Sequence, residues 1–181
     1  MPILVVLLRG VNVGGKNKIK MDTLRDICLT AGLRDPQTYI QSGNVVCRAS
    51  RLTASLHTKI EDAIEAACSF RPAVILRTAE ELDAIVAANP FAAQPGIEPN
   101  KLHVHFLYNH PAPQAAILLE KLPRQDEQIH LTGREVFVYY PHGAGQTKLT
   151  AASFDKALQT SNTARNWNTV LKLRDIARSI P

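Results

Sequence analysis

Residues 39–46 read YIQSGNVV and residues 129–138 read IHLTGREVFV. Each is a β-rich run, a small hydroxyl residue, a Gly and a second β-rich run, which is a hairpin signal. The residues around the first copy extend the pattern. Residues 3–8 form a continuous apolar run that reads as a buried strand. Met21, Leu24, Ile27, Cys28 and Ala31 recur at helical spacing, and Gly32 closes that helix. The hairpin strands are expected at 38–41 and 44–48, around Ser42-Gly43. Leu56, Ile60, Ala63, Ile64 and Ala67 form one face of a second helix, and 73–77 is a further strand. The order is βαββαβ. Thr78 and Glu81 then form a capping box for a helix that stops at Asn89-Pro90.

The second half repeats this order. A strand is expected at 102–108, a helix at 115–122, and strands at 128–131 and 135–140 around Thr132-Gly133-Arg134. Leu149, Thr150 and Phe154 fit a staple across a helix N-cap. A last helix is expected from about Thr163, with Val170, Leu173, Ile176, Ala177 and Ile180 as its buried stripe. The reading is α+β: two ferredoxin-like subdomains with antiparallel sheets, a βαββαβ unit followed by a variant repeat. The variant ends in helices instead of a fourth strand, with an extra helix at the C-terminus. The first subdomain with its linking helix covers 1–90. Residues 91–100, with two Pro and one Gly, are the linker, and 101–181 is the second subdomain.

Composition sets the class. The 181 residues are 45% hydrophobic and 20% charged, a globular mix that excludes a long disordered chain. Three Cys are too few for a disulfide scaffold and fit a reducing compartment. The apolar opening is far shorter than the ~20 residues of a membrane-spanning helix. A cytoplasmic protein without membrane attachment is expected. The net charge is +5, divided as +5 over residues 1–51, −4 over 52–135 and +4 over 136–181. Basic ends favour anionic partners.

The densest basic stretch is RGVNVGGKNKIK, residues 9–20. Its three Gly permit unusual backbone angles. Arg9, Lys16, Lys18 and Lys20 carry charge with no acid among them. Residues 10–16 satisfy the G-x-x-x-x-G-K part of a phosphate loop, but Asn17 stands where Ser or Thr would hold magnesium. A non-hydrolytic anion site is therefore weighed against a purely structural loop. In a ferredoxin-like unit this loop and the hairpin turn share one end of the sheet. Gln41, Ser42 and Asn44 are thus expected beside Arg9, Asn12, Gly14, Gly15, Lys16 and Lys18. The segment HGAGQTK, residues 142–148, is a second Gly-plus-Lys loop that offers Lys148. Arg165, Asn166 and Asn168 are expected outside the buried stripe of the last helix, where Arg165 would grip phosphate. Trp167 beside them reads as a core anchor.

His103, His105 and His130 lack the partners of a zinc site. Cys28, Cys47 and Cys68 read as small core residues. No metal or cofactor is expected.

Taken together, LLRGVNVGGKNKIKM, YIQSGNVV, GAGQTKLT and NTARNWNTVLKL span residues 7–173 and resemble the signature blocks of the bacterial domain-of-unknown-function 1697 family. The resemblance implies an α+β protein of two ferredoxin-related subdomains. It brings no activity, cofactor or catalytic residue. The leading functional expectation is a binding module for a phosphate-bearing ligand, either a nucleotide or nucleic acid. The alternatives are a metal-independent enzyme acting on a phosphorylated small molecule and an oligomerising protein whose Gly loops are only turns. The sequence sets neither the ligand nor the number of subunits.

Overall fold

In a computed structural model that describes residues 1–180, the first half runs β1 (Ile3–Leu8), α1 (Met21–Thr30), β2 (Leu33–Thr38), β3 (Asn44–Ala49), α2 (Leu56–Cys68), β4 (Val74–Thr78) and α3 (Ala79–Ala87). Its four strands form one antiparallel sheet in the order β2-β3-β1-β4. Strand β1 is central and buried from Leu4 to Leu8, which is why it reads as an unbroken apolar run. Leu4, Val6 and Leu8 face Leu24, Ile27 and Cys28 of α1 and Leu56, Ile60 and Ile64 of α2 in one core. The alternate residues Val5 and Leu7, with Val46, Ile75 and Arg77, are buried on the opposite face.

Strand β2 lies earlier than the expected 38–41. Gln37 and Thr38 pair with Val46 and Val45, while Leu33 pairs with Ala49 across a register shift. The shift falls at Asp35, whose φ is +52°, and Pro36, which donates no ladder hydrogen bond. An edge strand tolerates both. The β-rich Tyr39-Ile40 instead enters the loop, with Ile40 at φ +49°.

The second half contains β5 (Leu102–Leu107), α4 (Ala115–Glu120), β6 (Gln128–Thr132), β7 (Glu135–Tyr139), α5 (Ala151–Leu158), β8 (Asn162–Asn166) and α6 (Trp167–Ser179). Its antiparallel sheet has the order β6-β7-β5-β8. This corrects the expected variant repeat. A fourth strand exists, and it occupies the residues read as the opening of the last helix. Asn162–Asn166 is poor in β-formers, but its ladder to β5 overrides local preference. Asp155 also fixes the start of β8, accepting from the Asn162 backbone N–H at 3.2 Å and from its Nδ2 at 2.8 Å.

The repeat is geometric as well as sequential. Leu8 N–H donates to Gly43 O in the first half, and Leu107 N–H donates to Arg134 O in the second. Arg77 sits opposite Val5, and Arg165 sits opposite Val104. Each of these arginines donates to the carbonyl of the preceding residue at 2.8 Å. The predicted Thr78–Glu81 capping box is made in both directions, at 2.8 and 3.1 Å. Contacts divide the chain into two compact units, residues 1–83 with α6 from Lys172 onward, and residues 84–171.

Candidate functional site

The loop between β1 and α1 is built by its asparagines. Asn12, at φ +55°, donates through Nδ2 to Ile19 O at 3.0 Å and to Gln41 O at 2.8 Å. Its Oδ1 accepts from Ile19 N–H at 2.9 Å. Asn17 Nδ2 donates to Gly10 O at 3.1 Å. Between them Lys16 N–H donates to Val13 O at 3.1 Å, closing a tight turn. Both central residues of that turn, Gly14 and Gly15, have positive φ, the type I′ geometry that glycine favours. The loop therefore folds back on itself before the helix starts at Met21, and the glycine amides do not open the helix as they do in a phosphate loop.

The expected juxtaposition of loop and hairpin is present. Gly43 has φ +73°, and a Cβ there would lie 2.5 Å from Val11 Cγ2 and 2.8 Å from Leu8 Cβ. Only glycine lets the two segments approach this closely.

The result is an open cleft of about 670 Å³ within the first unit, lined by Asn12, Gly15, Lys18, Ile19, Lys20, Met21, Asp22 and Gln41. Lys20 is the N-cap of α1 and makes no side-chain capping bond. The first helical hydrogen bond runs from Leu24 N–H to Lys20 O, so the N–H groups of the first turn stand at the cleft with two lysines. Asp22, on the same wall, is paired with Arg25, which also donates to Thr38 Oγ1 at 2.8 Å.

The expected site residues divide. Lys18, Gly15, Asn12 and Gln41 line the cleft; Lys16 and Gly14 are exposed on the adjoining turn. Arg9 leaves β1 half-buried, its backbone N–H on Ala73 O at 3.0 Å. Asn44 is fully buried and spends its Nδ2 on Tyr39 O and Ser42 Oγ, so Asn44 and Ser42 hold the turn together. Lys20, Met21 and Asp22 join the cleft without having been singled out as ligand groups. The signal was the late helix start directly after a run of lysines.

The candidates of the second half lie in the other unit. Lys148 is exposed, but its loop adjoins acids: Thr147 donates to Glu127, and His142 lies 3.1 Å from Asp126. Burial pushes the Glu127 carboxyl up, yet hydrogen bonds from Thr147 and backbone N–H groups and the nearby His142 hold it below its usual range. Arg165 is not a surface helix residue. It lies on β8, buried, donating to Thr163 Oγ1 at 2.8 Å. Burial lowers its pKa to about 10. Asn166 caps α6 by accepting from Asn168 N–H at 3.0 Å and donates to Asn100 O at 2.7 Å. Asn168 is exposed on the first turn. Trp167 is buried near Phe137, with 6.4 Å between ring centroids.

His105 belongs to a buried polar chain. Its Nδ1 is 2.8 Å from Asn162 Oδ1 and its Nε2 is 3.2 Å from Tyr140 Oη. His130 pairs with Phe137 and stacks edge-on against Phe91, whereas His105 pairs with Val136 in the α4–α5 core. No group of three His, Cys, Asp or Glu positioned for a metal occurs among the described residues. Burial pushes the Cys28 thiol up to about 12, and it raises that of Cys47 further. Neither is a ready nucleophile.

Fold and cleft define an α+β protein of two similar subdomains, with a basic, uncapped helix start exposed in the first. The chain belongs to the family described as "Protein of unknown function (DUF1697)", whose model matches residues 1–137. It is similar in structure to "conserved bacterial protein SP0830 from Streptococcus pneumoniae", with TM-score 0.74, 23% identity and 99% of each chain covered. No curated protein matches the sequence. No helix among the described residues is long and apolar enough to cross a membrane.

Proposed function

We propose that the chain binds a small phosphate-bearing ligand, a nucleotide before a nucleic acid, in the cleft of the first unit. One observation carries this reading: Lys18 and Lys20 line the same cleft as the uncapped first turn of α1. Lysines supply charge, and free N–H groups supply directed donors. A cleft of about 670 Å³ matches the usual range for small ligands. The two lysines lie within one cleft of that size, which suits a compact anion rather than a long one. Among the lining residues the only carboxylate is Asp22, already paired with Arg25, which favours binding over acid–base turnover. The ferredoxin-like reading of each half rests on its βαββαβ order and sheet order, and the cytoplasmic setting on the cysteines that the fold leaves free.

The test is an amide-resolved NMR titration of the full chain with pyrophosphate and with a nucleoside triphosphate. Saturable shifts centred on Met21–Thr23, Gly15 and the Lys18–Lys20 amides support the reading. Shifts confined to 142–148, or none at millimolar ligand, overturn it.

A further inference from the structure

Ile40 breaks two local rules at once. Its backbone stands at φ +49°, and its side chain is 51% exposed. Among the described residues six non-glycine positions have positive φ, and the other five are Asn, Asp, Ser or Gln. Ile40 is the one β-branched residue of the set, and a β-branched side chain is strained in this region. Burial does not offset that strain, because the side chain stays largely in water. A turn alone would be better served by Asn or Gly. Strain held at an exposed apolar residue points to a use for the side chain.

Hydrogen bonds on both sides hold Ile40 in place. Tyr39 N–H donates to Asn44 O at 3.1 Å, and Asn44 Nδ2 donates to Tyr39 O at 3.0 Å. On the other side Asn12 Nδ2 donates to Gln41 O at 2.8 Å. The segment is also tied at both ends to the cleft of the first unit. Thr38 accepts from Arg25, the partner of Asp22, while Gln41 and Asn12 line the cleft themselves. Ile40 therefore sits on the rim between two anchors. Val13, next to Asn12, is 65% exposed, the highest value among the large hydrophobic residues described.

The cleft has two characters. Lys18 and Lys20 bring charge, while Gly15, Ile19 and Met21 bring none. Its volume of about 670 Å³ is that of a site for an organic ligand, well beyond a phosphate group alone. Resting on the reading of this cleft as a phosphate site, we infer that its ligand carries a nucleobase, which packs against Ile40 and Val13 at the rim while the phosphates lie on Lys18 and Lys20. A base has apolar faces that pack on apolar side chains and a polar edge that needs hydrogen bonds. The side-chain amide of Gln41, beside Ile40, offers both a donor and an acceptor to such an edge. A hydrocarbon tail would leave that amide unmatched.

The test is calorimetric titration of the full chain with ATP and with tripolyphosphate, which carries at least as much charge and no base. Wild type is expected to bind ATP at least tenfold more tightly. Ile40→Asn removes the apolar side chain and keeps a residue suited to positive φ, so it is expected to fold with a melting temperature no lower than wild type. In Ile40→Asn, and in the exposed variant Val13→Ser, the ratio of the two affinities is expected to fall toward one. Equal affinity of wild type for the two probes overturns the base assignment and leaves the phosphate site standing. A ratio unchanged in both variants overturns it as well. So does octyl phosphate bound more tightly than AMP, which would mark a site for a hydrocarbon. Binding of neither ATP nor tripolyphosphate at millimolar concentration overturns the phosphate site and this inference together.

Discussion

Gly43 carries more of the architecture than its size suggests. Its φ of +73° and the 2.5 Å approach to Val11 that a Cβ would make leave no room for alanine. Overpacking of this kind costs typically 1–3 kcal/mol. Gly43→Ala should lower the melting temperature by several degrees, measured by circular dichroism, and loosen the cleft by pushing the Asn12 loop off Gln41. Glu61 is the second such residue. It is 6% exposed and accepts from Val74 N–H at 2.9 Å while pairing with Arg71 at 3.2 Å. Glu61→Ala leaves a buried N–H unmet, a loss of about 1–3 kcal/mol, to be read by urea denaturation with an unchanged m-value. By contrast Lys18 and Lys20 are exposed, and surface substitutions there shift stability by under ~0.5 kcal/mol.

Elements show what a sequence makes legible. Strand β1 and helices α1 and α2 announce themselves because burial writes a continuous or periodic apolar pattern. The juxtaposition of the basic loop and the hairpin followed from topology alone, and Asn12 on Gln41 O realises it. Strands β2 and β8 were displaced or missed because their ladders are set by partners. Gln37 and Thr38 follow Val46 and Val45, and Asn162 follows Asp155. The same miss turned Arg165 from a buried strand residue into an apparent surface one. Asn44 looked like a ligand group because turn chemistry and ligand chemistry use the same amide. The chain from Asp155 through Asn162 and His105 to Tyr140 carries a pH dependence. Burial depresses the His105 pKa to about 4, against a hydrogen bond to Asn162 that raises it and with His103 adding to the fall. Below the ordinary histidine value the unfolded chain takes up the proton first, so stability falls as pH drops from about 6.5 to about 4. The full loss from this group is about 3 kcal/mol. Denaturation midpoints between pH 7 and 4 should show it. His105→Gln should flatten that slope even where it lowers stability at neutral pH.

At the scale of the whole molecule, two repeats share a frame and differ in their loops. The first half places lysines and an uncapped helix start on a cleft; the second surrounds its Gly loop with Asp126 and Glu127. The proposed ligand binding therefore falls to the first unit, and substitutions in its cleft test it separately from the second. The most direct measurement of the central claim is calorimetric titration of a nucleoside triphosphate into the full chain, wild type against Lys18→Ala/Lys20→Ala, at two salt concentrations. A charge-assisted contact is worth roughly 1.5–3 kcal/mol, about tenfold or more in affinity. The account predicts at least a tenfold loss in the double variant, a shallow salt dependence in wild type, an unchanged melting temperature, and full affinity in Lys148→Ala. Equal affinities for wild type and the Lys18/Lys20 variant, with the fold intact, would contradict it.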